Sequence, residues 1–142
     1  MESSTDKTQE NTVEQVMARK VKDADLIYLV RMANIGYGLG VTLLTKGTMI
    51  SGTLTSGKDY YETVASKISD AGEFGVALAK YYTDKIGEYT PSDDEDKEIP
   101  LTFLHLKDFS ILKGDGGFFN LKGATLRLKI EEIDGHLVGV AS

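Results

Sequence analysis

Residues able to do chemistry are few in this chain, and they do not cluster. The only histidines are His105 and His136, and there is no cysteine. The absence of thiols removes disulfides, thiolate metal sites and thiol nucleophiles together. Two histidines cannot build a histidine-rich metal site. His105 stands between Leu104 and Leu106, and His136 follows Asp134-Gly135. Neither is accompanied by the Gly-x-Ser-x-Gly elbow that presents a serine nucleophile, so no nucleophile, base and orienting group are brought together. Glu131 and Glu132 are adjacent carboxylates. Neighbours on a strand point to opposite faces, so this pair reads as a polar strand end and not as two groups acting on one bond.

Two further segments invite a ligand and fail on pattern. Gly114-Asp115-Gly116-Gly117 is glycine-rich, but a phosphate-binding loop continues with Gly-Lys-Ser/Thr into a helix, and here Phe118-Phe119-Asn120 follows. It reads as a hairpin loop. Asp93-Asp94-Glu95-Asp96 offers carboxylates, but without the alternating ligands, central glycine and closing glutamate of a calcium loop. It reads as a solvated acidic linker able to face a basic partner. No metal or cofactor is expected.

What remains is chemistry of contact. Tyr60, Tyr61, Tyr81, Tyr82 and Tyr89 are concentrated in one segment. Doubled tyrosines on a helix cannot all face one core, and a ring with a polar tip suits an interface. Tyr60, Tyr61, Tyr81 and Tyr82, with Asp93, Asp94, Glu95 and Asp96, are the expected partner-binding residues. The net charge is -6 and the isoelectric point about 4.9. Nucleic-acid binding draws on neutralised phosphates, which an acidic chain serves poorly. Lys122, Arg127 and Lys129 form the only candidate basic stripe.

The elements that must position these residues follow from periodicity. Val13, Val16, Met17 and Val21 have helical spacing. A better helix begins at Asp23 or Asp25, either able to cap it, carries Leu26, Leu29, Val30 and Ala33 as one stripe, and ends at Gly36. Leu39, Val41 and Leu43 alternate, Lys46-Gly47 turns the chain, and Thr48 to Thr55 returns with Ile50, Gly52 and Leu54 on one face. Gly52 within a strand signals a bend or a close backbone approach.

The period then becomes helical: Tyr60, Tyr61, Val64 and Ile68 form one group and Phe74, Leu78, Tyr81, Tyr82 and Ile86 a second, divided by Ala71-Gly72. Sheet pattern resumes after Ile99. Leu101, Phe103 and His105 face one way and Leu104 and Leu106 the other, with a polar break at Lys107-Asp108. A strand apolar on both sides suits a strongly bent strand in a small barrel. Ala124, Leu126, Leu128 and Ile130 alternate with polar residues. Asp134-Gly135 has the composition of a two-residue hairpin turn before a last strand over Leu137 to Val140.

The expected fold is therefore α+β: a small five-stranded antiparallel β-barrel with an N-terminal helix and a helical insertion between strands 2 and 3. At 142 residues the chain has the length of one domain. We divide it into a disordered or loosely helical arm over residues 1–22 and one domain over 23–142, with the insertion at about 57–89 and the acidic loop at 90–98. The N-terminal residues are too polar for a secretory signal, and no apolar run approaches the roughly 18 residues of a membrane span. A soluble cytosolic protein is expected.

Two family resemblances attach to these residues. Val41-Thr42-Leu43-Leu44-Thr45-Lys46-Gly47 followed by Ile50-Ser51-Gly52-Thr53-Leu54, with His105-Leu106-Lys107-Asp108 later, resembles the first motif of Sm-like proteins. The insertion splits that motif where Sm proteins have a tight turn. The second, RNA-contacting motif has no counterpart around Leu126 to Gly139, so the resemblance implies an Sm-like barrel and not RNA binding.

From about Leu26 onward the chain also resembles the gas-vesicle accessory protein GvpU family. The likeness rests on Val41 to Thr55, Lys58-Asp59-Tyr60, His105-Leu106-Lys107, Lys113-Gly114-Asp115, Ile133-Asp134-Gly135 and Leu137-Val138-Gly139. It implies a non-enzymatic cytoplasmic protein associated with gas vesicles and active in their assembly or clustering. Partners would be shell or other accessory proteins, or further copies of the chain joined through exposed sheet edges. The alternative from another class is an Sm-like RNA-binding module. A small hydrolase would need a site that the residues do not supply.

Overall fold

The computed structural model describes residues 22–94 and 96–141. The expected N-terminal arm, with the helical reading of Val13 to Val21, lies outside them apart from Lys22, as does Glu95. Three α-helices and five strands are described: α1 (Ala24–Asn34), β1 (Gly40–Thr45), β2 (Thr48–Thr55), α2 (Gly57–Ser69), α3 (Glu73–Thr83), β3 (Phe103–Leu112), β4 (Phe118–Lys129) and β5 (Gly135–Val138). Single 3₁₀ turns lie at Ile86–Tyr89 and Ile130–Glu132. The fold is α+β with one antiparallel sheet, and two helices stand between strands 2 and 3 as the period predicts.

Asp23 starts α1, its Oδ1 accepting from the N–H groups of Asp25 at 2.9 Å and Leu26 at 3.4 Å. Its Oδ2 lies 2.7 Å from His136 Nδ1, so the same carboxylate links α1 to β5. The buried stripe Leu26, Val30 and Ala33 seals one face of the sheet, packing with Val41, Leu43, Ile50, Leu54, Leu104, Leu106 and Phe109.

The strand order is β4-β3-β2-β1-β5. β4 and β5 are its two edges and form no ladder with each other, so the sheet is open and the expected closed barrel is not what the hydrogen bonds describe. It is nevertheless strongly curled. Five residues, Ile130 to Asp134, carry the chain from β4 to β5. Four strand spacings in a flat sheet amount to about 19 Å sideways, before any displacement along the strands. A link that is half 3₁₀ helix reaches only about 17 Å, so the edges must curve toward each other. Ile130 and Ile133 from this link enter the core.

The link also corrects two sequence expectations. Asp134-Gly135 is not a hairpin turn: neither residue has positive φ, and β5 pairs with β1, not β4. Asp134 instead accepts from the Lys46 N–H at 2.9 Å, bracing the β1–β2 turn. Glu131 and Glu132 lie on a 3₁₀ turn and not on a strand, with Glu132 3.4 Å from Lys46 Nζ.

Curl is concentrated where β3 bends. The β2–β3 register shifts between Ser51 and Thr53, and the β3–β4 register between Lys107 and Phe109. Asp108 takes φ 49° there and accepts from the Gly123 N–H at 2.8 Å. Gly52 faces this bulge. A Cβ on it would stand 2.8 Å from Phe109 Cβ and 3.0 Å from Phe109 Cα, a clash with backbone that cannot rotate away. Gly52→Ala is expected to lower stability by about 2 kcal/mol, as overpacking of a close approach does, measured by urea unfolding. A change within about 0.5 kcal/mol would show that the bulge yields freely.

Candidate partner-binding surface

The outward face of the sheet, opposite the core, holds the insertion. Thr55 of β2 pairs with His105 of β3, which pairs with Arg127 of β4, so alternation puts all three on one face together with Phe103. α2 lies over them. Ser56 Oγ caps it by accepting from the Asp59 N–H at 2.9 Å, Asn34 Oδ1 accepts from the buried Gly57 N–H at 3.0 Å, and Thr55 Oγ1 donates to Asp59 Oδ2 at 2.7 Å. These bonds set the helix start against both the sheet and α1.

Aromatic rings then fill the contact. Tyr60 lies over His105 with centroids 4.6 Å apart, Tyr89 meets the imidazole edge-on at 5.8 Å, and Tyr61 packs 5.3 Å from Tyr89. Arg127 stacks its guanidinium 3.8 Å from the Phe103 centroid and donates through Nη1 to the Tyr61 hydroxyl. A cation on an aromatic face in a partly desolvated contact is worth on the order of 1–2 kcal/mol. Burial raises the hydroxyl pKa of Tyr60 and Tyr89, against the opposing pull of Arg127. His105 is 1% exposed. Burial, and then the Arg127 charge, lower its pKa to about 3, so the ring is neutral across the physiological range. This face is an internal clasp.

α3 is held at one remove. It packs on α2 through Gly75, Ala79 and the half-buried Tyr82. A Cβ on Gly75 would come within 2.1 Å of the Ile68 carbonyl oxygen, so only glycine allows the helices to approach so closely. With its small residues turned inward, α3 turns its large ones outward: Phe74 is 77% exposed, Leu78 49% and Tyr81 62%. At positions i, i+4 and i+7 these form one stripe.

The expected partner-binding residues therefore occupy different environments. Tyr61 is buried and Tyr60 and Tyr82 half-buried within the clasp and helix contact, whereas Tyr81 stands in solvent. Asp93, Asp94 and Asp96 are exposed, with Asp94 Oδ1 accepting from the Asp96 N–H at 3.0 Å. Among the described residues no group of three acidic or histidine side chains could hold a metal. The stripe of Lys122, Arg127 and Lys129 is divided, because Arg127 belongs to the clasp. Sequence reasoning missed Phe74 and Leu78 as surface residues. The signal was present in Gly75 and Ala79, whose four-residue spacing marks the small face as the packed one.

A family model described as gas vesicle protein GvpU-like matches residues 23–141. The chain belongs to the GvpU-like family. The match runs from the cap of α1 through β5, taking in the insertion and the acidic loop. No curated protein matches the chain. As a member of the GvpU-like family it is a gas vesicle accessory protein. No helix among the described residues is long and apolar enough to cross a membrane.

The clasp makes stability depend on pH with a definite sign. The pKa of His105 is about 3 in the folded chain against an ordinary 6.5. The unfolded chain binds the extra proton between these values, so the stabilisation is fully present above pH 6.5 and is lost as pH falls toward 3. Between pH 6 and 5 unfolding free energy should fall by about 1 kcal/mol per pH unit. His105→Phe should flatten that slope in urea titrations. An unchanged slope would place the proton elsewhere.

Proposed function

We propose that this GvpU-like chain acts without catalysis, in the cytoplasm, as a contact protein that gathers or helps assemble gas vesicles. The carrying observation is the combination of family membership with an apolar helix stripe held in solvent on a rigidly clasped insertion. A helix that buries its small face and exposes Phe74, Leu78 and Tyr81 leaves that surface free for another protein. The partners are shell proteins, other accessory proteins and further copies of the chain. Several weak contacts acting at once would bring vesicles together by avidity, with no strong single contact required.

We take the curled sheet, with its N-terminal helix and five antiparallel strands, as Sm-like in plan. We assign Tyr81, with Asp93, Asp94, Glu95 and Asp96, to the partner-facing surface, and Tyr60, Tyr61 and Tyr82 to holding it. Both histidines have places in the architecture: His105 in the clasp and His136 against Asp23.

Deleting the gene from a gas-vesicle operon is expected to change vesicle clustering or yield by several-fold, scored by electron microscopy, with recovery on complementation. Unchanged yield, shape and clustering in the deletion would overturn the assignment.

A further inference from the structure

We propose that α3 is a self-association surface on which a second copy of this chain docks antiparallel, stripe against stripe. Phe74, Leu78 and Tyr81 are each about half exposed or more, and together leave an apolar strip on the order of 400 Å². That lies within the range of the largest patch on a typical monomer, where such patches are commonly functional.

The second copy is favoured by the arrangement of the helix itself. Ala77 lies at the middle of the stripe, between Phe74 and Tyr81, and its small side chain lets two backbones approach there. A two-fold axis beside Ala77 sets Phe74 of each copy against Tyr81 of the other, which gives both aromatic rings a partner of matching size. The same axis sets Glu73 of each copy near Lys80 of the other. The two residues lie on one flank of α3, and antiparallel pairing brings identical flanks together in reverse order. Parallel pairing would set that flank against the opposite flank of the other copy, leaving Glu73 and Lys80 without each other, so the charge complementarity belongs to the antiparallel form. Lys80 also lies 2.9 Å from Asp84 in its own chain, which holds its side chain on that flank.

The sheet edges fit a second copy less well. β5 has only four residues. β4 carries Lys122 and Lys129, and Lys67 from α2 donates to its Gly123 carbonyl at 2.7 Å. Short strands and lysines are what discourage edge pairing.

Two strips of this size bury about 800 Å² in total, short of the 1,200 Å² or more of a stable complex. The association is therefore weak and concentration-dependent. The choice of partner deepens the contact-protein reading. Its test uses the isolated full chain without vesicles, so either idea can fail while the other stands.

Sedimentation equilibrium at low salt is expected to show a monomer–dimer equilibrium below millimolar protein concentration. Leu78→Glu should weaken it at least tenfold. Glu73→Lys and Lys80→Glu should each weaken it roughly fivefold, since two symmetric ion pairs change sign together. The double reversal should restore it to within about twofold, with circular dichroism checking that every variant keeps its helices. A wild-type chain that stays monomeric at millimolar concentration overturns the proposal and assigns the stripe to a different molecule. Dimers that survive Leu78→Glu overturn it by placing the contact elsewhere. A double reversal that fails to recover overturns the antiparallel register.

Discussion

The curl of the sheet is the constraint on which the rest depends. The five-residue link from β4 to β5 is too short to cross a flat sheet, so the ends must bend toward each other. Bending gives the sheet a concave side, which α1 closes, and a convex side, which would otherwise leave the middle of β3 in water. The bulges at Asp108 and opposite Gly52 supply the bend locally, one by a left-handed residue and the other by the absence of a side chain. Ile130 and Ile133 then fall into the concave core, so the link that enforces the curl is itself held by burial.

From the convex side follows the placement of the insertion. Alternation along β3 sends Leu104 and Leu106 into the core and must send Phe103 and His105 the other way. Water would accept a histidine there, but the neighbouring Arg127 and Thr55 and the incoming tyrosines enclose it. A neutral imidazole is the ring that such a site stabilises, since a charged one would meet both burial and the guanidinium. The clasp fixes α2, and the small-residue contact of Gly75 and Ala79 fixes α3 on α2. The exposed stripe is thus the outermost layer of a stack that begins in the core.

Much of the layout was legible in the sequence. Asp23 as cap, the Leu26, Val30 and Ala33 stripe, the Lys46-Gly47 turn, the close approach at Gly52 and two helices between the second and third strands all rest on local periodicity or on the φ demands of single residues. The misreadings arose where a local signal had a distant competitor. Asp134-Gly135 has hairpin composition, yet the Asp134 carboxylate is drawn to the Lys46 amide, a partner 88 residues away in sequence. Arg127 looked like part of a basic stripe because its aromatic partners lie on other elements.

The sequence by itself determined the class of fold, the position of the insertion and, through the family likeness, the association with gas vesicles. Periodicity encodes which residues share a face, and that information is local. Only the tertiary structure decided which face looks inward. Tyr61 and Tyr81 have the same chemistry and the same helical context, yet one is 6% exposed and the other 62%. The difference comes from which neighbour each helix packs against. That choice follows from the curl of the sheet and the close contact at Gly75, and it depends on backbone distances that no stretch of sequence contains.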